Sequence, residues 1–204
     1  PKDMTKDLIE AHQNSQKLMP LLHLPIQSGS NKILKSMNRK HSIEEYLQII
    51  NALKLKNPKN KFASDFIIAY PGETETDFAK TCDLMENVKF INSYSYIFSP
   101  RPGTPASELR LVNSDIAKKR LTIFQKIAEK IKLKYKKSLL NTKVKTLFEN
   151  RVNDNMYFGR DEYFNPVIAS SDKNIIGQVL EVSIREFSKN SIYGDLIKNK
   201  NLAA

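Results

Sequence analysis

Polar residues that could bind a ligand follow three apolar runs of the sequence. Gln27 to Ser30 follows the first run, Pro71 to Thr74 the second, and Ser99 to Pro105, which includes Arg101, the third. Amide and hydroxyl groups hydrogen-bond the hydroxyls of a sugar, whereas a guanidinium binds a carboxylate or a phosphate through two parallel hydrogen bonds. These residue types are typical of a site for a polar, charged ligand.

Strands and helices in alternation must position these segments. The apolar runs from Leu21 to Ile26, Phe66 to Tyr70 and Tyr94 to Phe98 are predicted strands, and apolar positions at helical spacing lie between them. Helical crossovers give a parallel sheet, so the three polar segments are expected on one rim. The continuous run from Phe66 predicts a strand buried on both faces. A single polar turn after a strand is ordinary in an α/β protein, but three on one rim of the sheet indicate a ligand-binding site.

Capping residues locate several helix starts between these strands. Ser42 begins a capping box, and Thr74 with Asp77 is close to one. Ser30 is predicted to cap the short helix that follows it. Asp65 is expected near the amino end of its strand, where a structural role is as plausible as a functional one.

A long helix and a β-rich region make up the rest of the chain. The helix is predicted from Ser114 to about Leu139, with Ile116 and Phe124 on its apolar side and Lys on the other. Short β-rich runs separated by polar turns follow: Val144 to Phe148, Tyr163 to Ala169, Ile175 to Ile184 and Ile192 to Ile197. A small module of this kind is expected to close into a barrel, because closure removes exposed sheet edges. The predicted domains are 1–138 and 139–198.

The composition limits the classes of partner and of site. A net charge of +11 and a pI of about 9.6 favour a polyanion such as nucleic acid, although a Lys-rich surface without such a partner would give the same values. Cys82 is the only cysteine, which excludes an internal disulfide and a Cys-built metal site. The three His residues do not cluster at ligand spacing, so no metal site is predicted. No apolar run could span a bilayer and no signal peptide is visible, so a cytoplasmic protein is expected.

Four ordered motifs lie at Leu22 to Ser30, Met37 to Arg39, Ser64 to Phe78 and Ser95 to Ala106. Together they resemble the motifs of one family, the radical-SAM methylthiotransferases. The sequence of the last motif resembles the branch of the family that acts on isopentenyl-adenosine in tRNA. The β-rich region resembles a TRAM domain, the RNA-binding module of the family. The chain departs from the family at Ala69-Tyr70, where the family carries Gly-Phe.

The resemblance implies an α/β fold, cofactors and partners. The fold would be the C-terminal half of a radical-SAM partial TIM-like barrel, with three parallel strands and helices, followed by a small all-β TRAM barrel. The family splits S-adenosylmethionine at one 4Fe-4S cluster and carries a second 4Fe-4S cluster, but the cysteines of both clusters are absent from this chain. The expected partners are therefore the N-terminal half of the enzyme, a sulfur donor and tRNA. No interaction with a membrane is expected.

The resemblance also assigns roles to individual residues. No catalytic residue is expected in this half. The expected ligands of S-adenosylmethionine are Gln27, Ser28, Gly29, Ser30, Asp65 and Arg101. The expected RNA contacts in the β-rich region are Arg151, Arg160, Lys173, Arg185 and Lys189. Taken singly, each of these basic residues is more often a solvated surface charge.

Two other functions are compatible with the residues. The chain could be a catalytically inert RNA-binding protein derived from such an enzyme. It could also belong to a methylthiotransferase that acts on threonylcarbamoyl-adenosine in tRNA. An upstream Cys-x3-Cys-x2-Cys run would favour an enzyme, whereas a start codon near Pro1 would favour the inert protein.

Overall fold

The computed structural model describes residues 1, 3–15 and 17–197, which fall into two compact units that divide after residue 132. The predicted second domain, 139–198, thus has its last residue outside the described part. The first unit contains strands and helices in alternation: α1 Lys6–Asn14, β1 Leu21–His23, α2 Asn31–Ser36, α3 Ile43–Lys56, β2 Lys61–Ile68, α4 Glu75–Val88 and β3 Asn92–Ile97. A 3-10 turn at Pro105–Glu108 precedes α5, Ser114–Ser138, which continues into the second unit.

The first unit is built on a parallel sheet in the order β1-β2-β3, as predicted. β1 ends at His23 rather than at Ile26, so the predicted strand is too long. The chain still runs beside β2, since the amide of Leu24 donates to Ala63 and that of Gln27 to Asp65. Pro25 between them has no amide hydrogen, which interrupts the ladder.

One face of this sheet is fully buried, and the other is partly open. Phe62, Phe66 and Ile68 are at most 2% exposed and pack in the core, whereas Asp65 on the other face is half-buried. Tyr94, which pairs with Asp65 in the register, is 53% exposed. Alternate side chains of a strand point to opposite faces, and on the second face Ala63 is buried whereas Asp65 and Ile67 are half-buried. The predicted burial of β2 on both faces is therefore only partly correct.

The helix caps agree with the sequence except at Ser30. The capping boxes at Ser42 and Thr74 are both complete. Ser30 is the N-cap residue of α2, but its hydroxyl makes no capping bond and donates to Asp77 instead. The predicted side-chain cap is wrong, because the hydroxyl is positioned by its strong, charge-assisted hydrogen bond to the carboxylate of Asp77 and not by the helix amides.

The apolar side of α5 is as predicted except at its first residue. The predicted residues that pack against the core are Leu121, Ile127, Ala128 and Ile131. Phe124 and Ala117 are buried, and so is Arg120, whereas Ile116 is exposed. Residues 117, 120 and 124 are separated by three and four positions, so they share the buried face of the helix. The prediction of Ile116 on this face is wrong.

The second unit contains a closed barrel with strand order β4-β5-β6-β8-β7, as predicted. Its strands are β4 Lys143–Arg151, β5 Met156–Asp161, β6 Pro166–Ser170, β7 Val179–Phe187 and β8 Ile192–Leu196. β5 was not predicted, and Tyr163 lies in the turn after it rather than at the start of a strand. Gly159 in β5 weakens the sequence pattern, yet the fold requires it, because a Cβ there would lie 2.3 Å from the carbonyl oxygen of Leu147.

Among the described helices, none combines the length and the apolar character that crossing a membrane requires.

Candidate functional site

Gln27 begins the first polar segment and is held by the backbone of β2. Its amide donates to the carbonyl of Asp65 at 3.0 Å, and its carbonyl accepts from Ile67 at 2.9 Å. Its φ of 77° is in the left-handed region, which is uncommon for a residue with a side chain. Within the described part of the chain its side-chain amide makes no hydrogen bond, so this group is available for a ligand.

Ser28, Gly29 and Ser30 pack against α4. The hydroxyl of Thr81 accepts from the amide of Gly29 at 2.9 Å, and the hydroxyl of Ser28 accepts from the amide of Ser30 at 3.2 Å. A Cβ at Gly29 would lie 2.4 Å from the carbonyl oxygen of Lys80, so only glycine allows this close approach. Both serines are buried, and their hydroxyls have partners inside the protein.

The buried carboxylate of Asp77 connects this first segment to the second. It accepts hydrogen bonds from the hydroxyl of Ser30 at 2.7 Å, the hydroxyl of Thr74 at 2.7 Å and the ammonium of Lys32 at 3.0 Å. Burial by itself would raise the pKa of Asp77, but the hydrogen bonds from Thr74, Ser30 and Lys32 outweigh it and hold the pKa well below its usual range. The anion thus fixes two of the three strand-end segments relative to each other.

The second segment is anchored by Glu73 and Arg120. The carboxylate of Glu73 accepts from the amide of Ala69 at 3.1 Å and pairs with the guanidinium of Arg120 at 2.9 Å. Its second oxygen is buried and has no partner among the described residues. Burial raises the pKa of Glu73, opposed by the amide of Ala69 and by Arg120. Without Arg120, this buried carboxylate with one unpaired oxygen would destabilise the folded protein.

Arg120 is a residue that the sequence reasoning missed. It lies on a helix with nine Lys or Arg residues, and its spacing from Phe124 was the one sign that it faces inward. Its guanidinium also pairs with Glu75 at 3.0 Å.

Arg101 lies in the third segment and is exposed. The carbonyl of Arg101 accepts from the amide and the hydroxyl of Thr104, which closes a turn. Its guanidinium has no hydrogen bond or ion pair within the described ranges, and therefore keeps its donors for a ligand. Phe98 joins this segment to the second, since its ring contacts that of Tyr70 with centroids 4.9 Å apart.

The uncovered face of the sheet carries a second group of polar side chains. Asp65 lies in the middle of β2, so its predicted place at the amino end is wrong. Its carboxylate is 3.2 Å from Nε2 of His23, and the rings of His23 and Tyr94 are 6.2 Å apart. Tyr96 is exposed on the same face. The alternation of tyrosine and serine in β3 was the sequence signal for this face, and it was not used.

The chain does not fit an iron–sulfur cluster, whose ligands are thiolates. Cys82 is the only thiol and is half-buried on α4 against the core. Burial, with nearby carboxylates, raises its pKa to about 11, so it is protonated at neutral pH. Over the ranges that the structure describes, no three His, Cys, Asp or Glu side chains come together as a metal site.

The basic residues predicted to contact RNA are spread over the barrel, and several have acidic or carbonyl partners. Arg151 donates to the carbonyls of Asn153 and Asp154, and Arg185 pairs with Asp195 at 3.0 Å. Three further residues complete the predicted set. Arg160 pairs with Glu149, Lys173 is exposed in a turn, and the carbonyl of Lys189 accepts from Lys136.

The positive charge of the chain is concentrated on α5 and not on the barrel. Between 139 and 197 there are seven Lys or Arg residues and eight Asp or Glu residues, a net charge of −1. α5 carries nine basic and two acidic residues, a net charge of +7. The overall charge of +11 therefore does not identify the barrel as a surface for phosphates.

Comparisons with known proteins agree with the strand-end motifs. Residues 1–85 match the model of the Radical SAM superfamily. A relative from Pelagibacter ubique, named tRNA-2-methylthio-N(6)-dimethylallyladenosine synthase, is 52% identical over 200 residues, which are 98% of this chain and 45% of the relative. Relatives of the same name from Rickettsia akari and Ehrlichia chaffeensis are 44% and 39% identical, over 97% of this chain and 45% and 46% of their own lengths. The chain is similar to these radical-SAM methylthiotransferases over nearly its whole length.

The predicted resemblance is thus confirmed. The chain spans about half the length of the curated relatives that it matches. The backbone geometry shows what the departure from the methylthiotransferase pattern at Ala69 costs. The φ of Ala69 is 58°, in the left-handed region that glycine adopts without strain. The methyl group of Ala69 is accommodated at a cost in backbone energy.

Proposed function

We propose that this chain is part of a tRNA methylthiotransferase. The enzyme would add a methylthio group to C2 of N6-isopentenyladenosine next to the anticodon, the activity named in its relatives. The match over nearly the whole chain to synthases of this name carries the proposal.

S-adenosylmethionine would bind at the rim formed by the three polar segments. Gln27, Asp65 and Arg101 would contact it. The side chains of Gln27 and Arg101 make no hydrogen bond to the described residues, and the carboxylate of Asp65 contacts the exposed His23 and not the core. Ser28, Gly29 and Ser30 would hold the turn that presents Gln27, as their hydrogen bonds to α4 and Asp77 indicate. When bound, S-adenosylmethionine supplies the radical that starts the reaction.

The two 4Fe-4S clusters, their cysteines and the sulfur donor would come from the part of the full-length protein outside this chain. Cys82 offers no alternative, since its thiol is protonated and packed against the core. The chain by itself would therefore be inactive. The barrel would be a TRAM domain that binds tRNA, with the boundary between the domains near 138, and its basic residues Arg151, Arg160, Lys173, Arg185 and Lys189 would make individual contacts.

The full-length protein that contains this chain provides the test. It is reconstituted anaerobically with iron, sulfide and S-adenosylmethionine, incubated with isopentenylated tRNA, and the nucleosides are separated by mass spectrometry. Formation of the 2-methylthio nucleoside is expected. Product only from tRNA with threonylcarbamoyl-adenosine would identify that nucleoside as the substrate instead. Binding of tRNA without product would favour the inert RNA-binding protein.

A parallel experiment tests the division of labour. The isolated chain, reconstituted in the same way, should give no cluster signal in electron paramagnetic resonance. A stoichiometric signal would contradict the assignment of the clusters to the rest of the protein.

A further inference from the structure

Phe164 is exposed on the barrel in a backbone conformation that bulky residues rarely adopt. It lies in the turn between β5 and β6, is 62% exposed and has a φ of 61°. An exposed aromatic ring on a left-handed residue is unfavourable for the isolated fold, so a further role for the ring is to be expected.

The turn that presents Phe164 is rigidly built. Oδ1 of Asp161 accepts from the amides of Tyr163 and Asn165 at 2.8 and 2.9 Å, and Oδ2 accepts from the side chain of Asn165 at 2.8 Å. Asp161 and Asn165 are both buried. The exposure of Phe164 is therefore a fixed feature of the turn.

The guanidinium of Arg160 lies close to the rings of both Phe158 and Phe164. Its guanidinium carbon is 5.1 Å from the centroid of Phe158 and 5.8 Å from that of Phe164. Phe158 and Arg160 are two positions apart on β5 and point outward together. Glu149 pairs with Arg160 and offsets its charge, so the cluster offers flat π surfaces more than net positive charge.

The neighbouring barrel wall is apolar. Leu147 pairs in register with Arg160 on one side and with Val179 on the other, and both Leu147 and Val179 are exposed. The barrel as a whole has a net charge of −1. Its charge therefore gives it no general attraction for a phosphate backbone, whereas aromatic and guanidinium planes suit the faces of unpaired bases.

We propose that Phe158, Arg160 and Phe164 form a stacking site for an unpaired nucleobase of RNA. This inference rests on the proposed function, which makes tRNA the partner. It assigns Arg160 to a base and not to a phosphate. A contact of this kind tolerates any base, since every base has a π face.

Binding of two oligonucleotides to the full-length protein tests the stacking site. An oligoadenylate is compared with an abasic oligonucleotide of equal length and phosphate number, by fluorescence anisotropy at several salt concentrations. The wild-type protein should prefer the oligoadenylate by about tenfold. Phe164→Leu, which keeps an apolar side chain but removes the ring, should abolish this preference without changing the salt dependence. Phe164→Tyr should keep it, as should Leu55→Ala, a control at an exposed apolar residue of α3.

The outcomes separate this inference from the proposed function. Equal binding of the two oligonucleotides by the wild type, or full preference in Phe164→Leu, would overturn the stacking site even if the methylthio nucleoside is formed. A preference that depends on the ring would support the site even if no methylthio nucleoside is formed. An equal preference for the oligoadenylate in Phe164→Leu and in the wild type would indicate that residue 164 contacts an apolar protein partner instead.

Discussion

The hydroxyl of Ser30 donates a 2.7 Å hydrogen bond to the carboxylate of Asp77, which ties the turn after β1 to the first turn of α4. The two residues are 47 positions apart in the sequence. The same carboxylate completes the capping box with Thr74. One buried anion thus fixes the geometry of two segments of the proposed cofactor rim.

Replacing Asp77 by Asn should reduce the free energy of unfolding by about 2–3 kcal/mol at pH 7, because Ser30, Thr74 and Lys32 no longer have a charged acceptor. The folded pKa of Asp77 lies below its ordinary value of 3.8. Its stabilisation is therefore present at neutral pH and disappears as the pH falls through the region below about 4. Urea unfolding from pH 2 to 7 measures both effects. Asp83→Asn, at an exposed position of α4, is the control and should change little.

Arg120→Leu should destabilise the protein by about 3–5 kcal/mol, because it leaves the buried carboxylate of Glu73 without its counter-charge. Adding Glu73→Gln should restore at least half of this stability, which a double-mutant cycle by chemical unfolding measures. Arg110→Leu, at an exposed site, should have little effect. If Arg120→Leu and Arg110→Leu behave alike, the ion pair does not anchor the second segment.

The pH dependence of the Arg120→Leu variant follows from the same carboxyl group. The pKa of Glu73 is raised above its ordinary value of 4.5, so the folded state holds this proton more tightly than the unfolded state. Its contribution to stability therefore falls as the pH rises from about 4.5 through the folded pKa. Without Arg120 this fall should become larger, and Glu73→Gln should remove it.

Ala69→Gly should raise the free energy of unfolding by about 0.5–1 kcal/mol. The left-handed backbone costs a residue with a Cβ about 1–2 kcal/mol, and the greater flexibility of glycine in the unfolded chain cancels part of the gain. Ala63→Gly, in the regular part of β2, should destabilise by a similar amount. Lower stability in both variants would contradict the assigned strain.

Arg101→Ala should weaken S-adenosylmethionine binding to the full-length protein by about tenfold or more, the effect of removing a hydrogen bond to a charged group. Its unfolding midpoint should not change, because the guanidinium makes no bond to the described part of the protein. Gln27→Ala should act in the same direction with a smaller effect. Calorimetric titration measures the affinities, and unchanged binding in both variants would remove these residues from the proposed site.

Salt dependence should locate the phosphate-binding residues on α5. Changing its exposed Lys118, Lys119, Lys126 and Lys130 to Gln should lower the log–log slope of tRNA affinity against salt by about 0.7–0.9 for each phosphate that is no longer neutralised. Arg151→Gln with Arg185→Gln should change the slope less, because these side chains already bind carbonyls or Asp195. Filter binding of tRNA is the measurement. The reverse order of effects would return the phosphate-binding role to the barrel.

Local patterns were sufficient to predict much of the first unit. The capping box at Ser42 depends on neighbours three positions apart, and the β2 run on its own apolar residues, so both are visible in a short window of sequence. The partners of Ser30, Asp65 and Arg120 lie 47, 42 and 47 positions away. Their roles depend on the register of the sheet and the packing of helices, which no local pattern specifies.

The barrel shows a different limit of sequence reasoning. Arg160 was predicted to contact RNA, but its strand was missed, because the neighbouring Gly159 is an unfavourable strand residue. The contact of Arg160 with Glu149 was equally invisible, since a bulge in β4 shifts the register between Phe148 and Asn150. The overall charge of +11 suggested a basic barrel, but +7 of it lies on α5.

The sheet and the barrel differ in how they would behave in concentrated solution. β2 has a neighbour on both sides, but β1 and β3 each have one among the described strands, whereas every barrel strand has two. Unpaired strand edges can form ladders with other molecules, and β3 also carries exposed tyrosine rings. The colloidal stability of this chain should therefore be limited by its first unit, with self-association beginning at β1 or β3 while the barrel stays inert.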